Sequence, residues 1–230
     1  MKKVLITGST GDIGSETARY FHAQGYFVYL HYRSQEAKAK SLCETLENSE
    51  IIGFDITDKK AVVEKLGSLD VDVLVNNAGI IKDNLFFFMK DEEWEDVIET
   101  SVNGTYNVTK AIVQTMIRNK KGSIVNVASI SGISGNAGQT NYSAAKGAMI
   151  AFTKALSLEV GRYKIRVNAV APGIIESELT DGLDLKSLKK EIPLKRIGKA
   201  KEVAESIFFL ADKANYITGE VLNISGGFIR

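Results

Sequence analysis

Short apolar runs recur along the chain at residues 4–6, 27–30, 51–54, 73–75, 124–127, 165–170 and 221–224, most of them rich in valine and isoleucine. A strand covered on both faces reads as such an unbroken run rather than as an alternation. Between the runs lie stretches with helical character, including 12–24, 36–46 and 91–120. Strands separated by helices imply parallel crossover connections. The pattern therefore predicts an α/β fold, a doubly wound parallel sheet of about seven strands with helices on both faces. No linker-like segment, repeat or low-complexity stretch interrupts it, so residues 1–230 are expected to form a single domain.

The stretch 91–120 reads as one long amphipathic helix, with Trp94, Val97, Ile98, Val102, Ile112, Val113, Met116 and Ile117 at helical spacing. Asn103 interrupts that apolar stripe with an amide. It must find buried partners there or sit in a cleft. Residues 178–191 are polar with little pattern, and their place after a strand suggests a lid.

Candidate chemistry sits where the predicted strands end. The first strand runs into Thr7-Gly8-Ser9-Thr10-Gly11-Asp12-Ile13-Gly14 and then a helix. Glycines there permit a tight turn and close approach to a pyrophosphate, and the helix N-terminus favours an anion. The second strand ends at Arg33 and Ser34, where a dinucleotide site usually carries an acidic residue for the ribose diol. A guanidinium suits a 2′-phosphate, which favours NADP(H) and leaves NAD(H) open. Asp55, followed by Ile56, could accept from an adenine amino group or cap the next helix, the latter role passing to Asp58 if that residue is the cap. Asn76-Asn77-Ala78-Gly79 combines amides that can tie strands together with small residues that admit a ligand.

Two Tyr-x-x-x-Lys pairs occur, Tyr106–Lys110 and Tyr142–Lys146, each on one helical face. An ammonium close to a phenol can lower its pKa and make it a usable proton donor. Only the second pair follows, by 13 residues, a hydroxyl at a strand's C-terminal end, Ser129; the corresponding residue before Tyr106 is Glu93. The C-terminal ends of the strands are the ligand-binding edge of such sheets, so Tyr142 and Lys146 are the candidates.

Composition narrows the classes. A formal charge of +1 gives no sign of nucleic-acid binding. The single cysteine, Cys43, and two histidines, His22 and His31, lack metal-ligand spacing, so no metal site is expected. The first apolar run is too short for a signal core or membrane span, and a cytoplasmic protein without membrane contact is expected.

With these elements together, the chain resembles the short-chain dehydrogenases/reductases, a family with a Rossmann-type fold, along its whole length. Within that family it is most similar to bacterial 3-oxoacyl-[acyl-carrier-protein] reductases, notably at Lys82-Asp83-Asn84-Leu85, residues 89–94 and Tyr216-Ile217-Thr218-Gly219-Glu220. The resemblance implies hydride transfer to a ketone from a nicotinamide cofactor. Tyr142 would be the proton donor, Lys146 its activator and ribose ligand, Ser129 the carbonyl partner and Asn103 the support of a water relay. It extends the cofactor site to Asn77, Ala78, Gly79, Pro172, Gly173, Ile175 and Ser177. It further implies a homotetramer and an acyl thioester on acyl carrier protein or coenzyme A. Lys120, Lys121, Arg162 and Lys164 are candidates for a basic docking rim. A reductase of another small ketone or alcohol, or a nucleotide-sensing module, are the alternatives. Two residues depart from the reductase pattern: Asp12 where the family has glycine, and Gly11 where that group often has arginine.

Overall fold

The computed structural model of the chain describes residues 1–177 and 185–228. Strands β1 (Lys3–Ile6), β2 (Phe27–Tyr32), β3 (Ser49–Gly53), β4 (Val73–Asn76), β5 (Gly122–Val127), β6 (Ile165–Pro172) and β7 (Val221–Ile224) form one sheet. Their order is β3-β2-β1-β4-β5-β6-β7, and every neighbouring pair is parallel. Each strand coincides with one of the apolar runs, and the Rossmann-type sheet expected from them is borne out. The helices among the described residues are α1 (Asp12–Ala23), α2 (Glu36–Glu44), α3 (Lys59–Leu66), α4 (Asp91–Ile98), α5 (Thr105–Asn119), α6 (Ser131–Ser134), α7 (Thr140–Val160), α8 (Leu185–Glu191) and α9 (Ala200–Phe208). None is long and apolar enough to cross a membrane.

Both faces of the sheet are covered, which explains the unbroken runs. Val4, Ile6, Val73 and Val75 pack with Phe21 of α1 and with Val203, Ile207 and Phe208 of α9. Leu5 and Leu74, one residue out of phase, pack on the other side with Val62 and Leu66 of α3 and Val108, Ile112 and Met116 of α5. The chain winds outward from β1 in one direction and from β4 in the other. The crevice between their C-terminal ends is therefore the switch point where such sheets take ligands.

The stretch 91–120 departs from one regular helix. α4 and α5 are joined by a π-helical segment, Glu99–Gly104. Its wider turn adds a residue and changes which side chains face inward. Ser101 is fully buried there, whereas Asn103 is exposed. Of the expected lid, residues 178–184 lie outside the described residues, and the rest forms α8, whose Leu188 and Glu191 border the cleft described next.

Candidate active site

A cleft of about 1330 Å3 opens along the C-terminal ends of the strands. At one end, β1 runs into the glycine loop. Gly8 has φ +63°, and a Cβ on it would stand 2.9 Å from the Ala78 Cα. Gly14 is held closer still, since a Cβ there would meet the Gly8 carbonyl at 2.2 Å. Both positions require glycine. Thr7 Oγ1 accepts from the Asn77 and Ala78 N–H groups at 2.9 and 3.0 Å, and Asn77 Nδ2 donates to the carbonyls of Thr7 and Gly8 at 3.1 and 3.0 Å. The loop is thus tied to the end of β4. α1 begins at Asp12 with Gly11 as its N-cap, and no side chain caps it. Its first N–H groups are directed to the loop side, a setting for an anion.

Thr10, Gly11, Asp12, Ile13, Arg33, Ser34, Asp55, Ile56, Asn77, Ala78 and Gly79 all border the cleft. Ser9 does not: it is fully buried and its Oγ donates to the His31 carbonyl at 3.0 Å. Its contribution is to hold the loop, not to line it. The two roles open for Asp55 separate cleanly. Asp58 caps α3, accepting from Lys60 and Ala61 N–H at 2.9 and 3.1 Å. Asp55 keeps the strand-end position, with one carboxylate oxygen taken by Thr57. The glycine cradle, the uncapped helix start and a guanidinium on the same wall suit a dinucleotide.

At the other end, Ser129, Tyr142, Lys146, Pro172, Gly173, Ile175 and Ser177 share the cleft. Asn141 positions Tyr142 at the start of α7: its amide donates to the carbonyls of Lys82 and Glu93 at 2.8 and 3.0 Å, and its oxygen accepts from Tyr142 N–H at 2.7 Å. Lys146 Nζ is buried, donates to the Val127 carbonyl at 2.7 Å, and lies 5.5 Å from the Tyr142 ring centre. Burial pushes its pKa down to about 8. The Tyr142 pKa moves the opposite way from the sequence expectation. Burial raises it, a hydrogen bond from Ser129 opposes that, and the Asp83 charge adds to the rise. The phenol is therefore firmly protonated at neutral pH. The lowered phenol pKa belongs to the other pair, where exposed Tyr106 accepts from Lys110 at 2.8 Å, outside this cleft.

Asn103 does not join the others. It donates to Glu99 on the exposed side and borders a separate pocket of about 220 Å3 with Tyr106, Met149 and Phe152. The π-helical turn places Ser101 inward in its stead. Ser101 Oγ and Lys146 Nζ each lie 3.5 Å from the point where a side chain on Gly79 would begin. Ser101 Oγ finds no hydrogen-bond partner among the described residues. A serine in a helix carries no signal in the sequence until the helical phase is known, so Ser101 is not legible there. Gln139 is a second such residue. It donates to Asp83 at 2.8 Å and accepts from Ser131 and Asn136 at 3.1 and 3.0 Å, giving this end of the cleft a polar wall.

Asn76 and Asn126 are structural. Asn76 donates to Asn126 at 2.8 Å and to Thr109 at 2.9 Å, and Asn126 donates to Thr153 at 2.8 Å, linking β4, β5, α5 and α7 beneath the site. Lys120, Lys121 and Lys164 stand before the N-terminal ends of β5 and β6, at the opposite edge of the sheet. Arg162 lies in the same turn as Lys164, and Lys121 pairs with Asp72 at 2.6 Å. They do not border this cleft, because the ends of a six-residue strand such as β5 are roughly 20 Å apart.

The family whose model describes an enoyl-(acyl carrier protein) reductase matches residues 8–229. The chain is 41% identical to the 3-oxoacyl-[acyl-carrier-protein] reductase FabG of Staphylococcus epidermidis, over 98% of each chain. It is 40% identical to the FabG of Staphylococcus aureus, over 98% of this chain and 97% of that one. Nodulation protein G of Rhizobium meliloti is 41% identical over 98% of this chain and 96% of its own. Agreement over this length, on a sheet with a dinucleotide-type switch point, makes the chain a member of the short-chain dehydrogenase/reductase family of nicotinamide-dependent oxidoreductases.

Proposed function

We propose that the chain reduces the ketone of a 3-oxoacyl thioester to the 3-hydroxy product, with NADPH as reductant and Tyr142 as proton donor. The observation that supports this most is the meeting of Tyr142, Ser129 and Lys146 at one end of a cleft whose other end suits a dinucleotide. The substrate class comes from the relatives named as 3-oxoacyl-[acyl-carrier-protein] reductases.

The glycine loop and the start of α1 would hold the pyrophosphate, Asp55 and Ile56 the adenine, and Arg33 with Ser34 the 2′-phosphate. Asn77 to Gly79, Pro172, Gly173, Ile175 and Ser177 would line the nicotinamide half, with Lys146 reaching the ribose. When bound, the cofactor supplies hydride to the ketone carbon. The Ser129 hydroxyl donates to the carbonyl oxygen and orients it. Tyr142 passes its phenolic proton to the alkoxide as that charge develops. A phenol kept protonated by burial and by Asp83 is in the form that reduction consumes. Behind it, Lys146 stays cationic below about pH 8 and stabilises the phenolate left after transfer. The supporting position behind Lys146 goes to Ser101, not to Asn103. Ser101→Ala should lower kcat several-fold and leave the KM for cofactor unchanged; an unaltered kcat would remove Ser101 from the site.

Steady-state assays against acetoacetyl thioesters and free ketones, each with NADPH and NADH, test the function. Turnover should favour thioester with NADPH. Loss of one charge-assisted contact is worth about 1.5–3 kcal/mol, so Arg33→Ala should raise the KM for NADPH roughly 10- to 100-fold and spare NADH. Faster turnover of free ketones than of thioesters would contradict the substrate reading.

A further inference from the structure

His31, 2% exposed, stands at the C-terminal end of β2 with both ring nitrogens in use. Nδ1 is 3.1 Å from the Gly8 nitrogen, and Nε2 is 3.0 Å from the Phe54 carbonyl oxygen. A backbone N–H can only donate and a carbonyl can only accept. The two partners therefore dictate one species, the neutral imidazole with its proton on Nε2. The backbone carbonyl of His31 also takes both the N–H and the Oγ–H of Ser9, each at 3.0 Å. One residue thus holds Gly8 and Ser9 at three points and links them to the end of β3.

Taking the cleft as the cofactor site, we propose that His31 is a positioning residue whose neutral imidazole holds the glycine loop in the shape that receives the pyrophosphate. Packing alone does not account for it. The ring lies tilted against Phe54 with centres 4.3 Å apart, a contact that any flat apolar side chain could make. The bond to Gly8 needs an acceptor at Nδ1, and it fastens a residue at φ +63° whose N–H would otherwise be free to turn. The side chain borders the cleft beside that loop.

The electrostatics agree with the geometry. Burial lowers the imidazole pKa to about 4, opposed by the bond to Phe54 and the charge of Asp55. Asp55, two residues past β3, is the charged group acting on the ring; Gly8 and Ser9 from the loop and Phe54 next to β3 bring no titratable side chain. The acceptor at Nδ1 therefore persists through the neutral range, and the loop bond is given up only as the pH approaches 4.

The test is the Kd of NADPH for the native chain, His31→Phe and His31→Asn, with kcat measured at saturating cofactor. Phenylalanine keeps the ring and removes both polar bonds. Loss of a buried hydrogen bond predicts a Kd raised by about tenfold or more, with kcat within about threefold. Asparagine places Oδ1 near the lost Nδ1, can accept from Gly8, and should recover an affinity within about threefold of native. Should the phenylalanine variant not fold, 15N chemical shifts of His31 in the native chain without cofactor decide: a bare Nδ1, a protonated Nε2 and no titration above about pH 5 are expected. An unchanged Kd for His31→Phe, an asparagine variant as weak as phenylalanine, or a His31 titration near the ordinary value of about 6.5 would overturn the proposal. A native chain that binds neither NADPH nor NADH would overturn the cofactor reading itself.

Discussion

Tyr142→Phe should lower turnover by about 10^3-fold, in the range of a lost general acid, while the Kd for NADPH stays within about twofold. The aromatic ring remains to line the cleft, and only the hydroxyl with its transferable proton is removed. Ser129 loses its bond to the phenol oxygen but keeps the one its Oγ accepts from Ser131 N–H at 3.2 Å, which holds the hydroxyl in place. Pre-steady-state mixing with NADPH and thioester separates the two quantities. A Tyr142→Phe enzyme with near-native turnover would mean that the proton comes from elsewhere, and the assignment of Tyr142 would fall.

Lys146→Met should abolish turnover and raise the melting temperature. The folded chain holds an ammonium whose pKa burial has lowered from 10.5 to about 8. At neutral pH that depression costs roughly 3 kcal/mol. Removing the charge recovers it, less about 1 kcal/mol for the Val127 carbonyl that loses its donor. A net gain of about 2 kcal/mol corresponds to about 4–8 °C for a chain of this size. The sign with pH follows from the lowered folded value. Above 10.5 the lysine is neutral in both states and carries no penalty. As pH falls from 10.5 to about 8 the unfolded chain takes up the proton first, so the penalty grows across that window and is complete below it. Thermal unfolding of both proteins from pH 7 to 10.5 should therefore show an advantage for methionine that shrinks with rising pH. A methionine variant less stable than the native chain at pH 7 would contradict this account of Lys146.

The sheet is legible in the sequence because its strands are buried on both faces. Val73, Leu74 and Val75 leave no polar position for an alternative reading, and the helices between the runs force parallel crossovers. Ser129, Tyr142 and Lys146 are legible because strand end, loop and helix start bring them together without any long-range information. The misplacement of Asn103 has a local cause. A period of 3.6 carried across 91–120 takes no account of the π-helical turn at Glu99–Gly104, so the residue facing inward is Ser101. The direction of the Tyr142 shift is hidden for a different reason. Spacing reveals that an ammonium is four residues away, but not that both groups are desolvated or that Asp83 stands near. His31 is invisible at the sequence level because its partners are a backbone N–H and a backbone carbonyl, which no residue pattern records.

Hydride transfer to the ketone carbon of a 3-oxoacyl thioester in this cleft is tested by a single turnover of acetoacetyl-coenzyme A with NADPH deuterated in the transferable C4 position, followed by mass analysis of the thioester. The expected product is 3-hydroxybutyryl-coenzyme A carrying one deuterium at C3, formed by the native chain and about 10^3-fold more slowly by Tyr142→Phe. A product without deuterium, or no product while a free ketone is reduced under the same conditions, would contradict it.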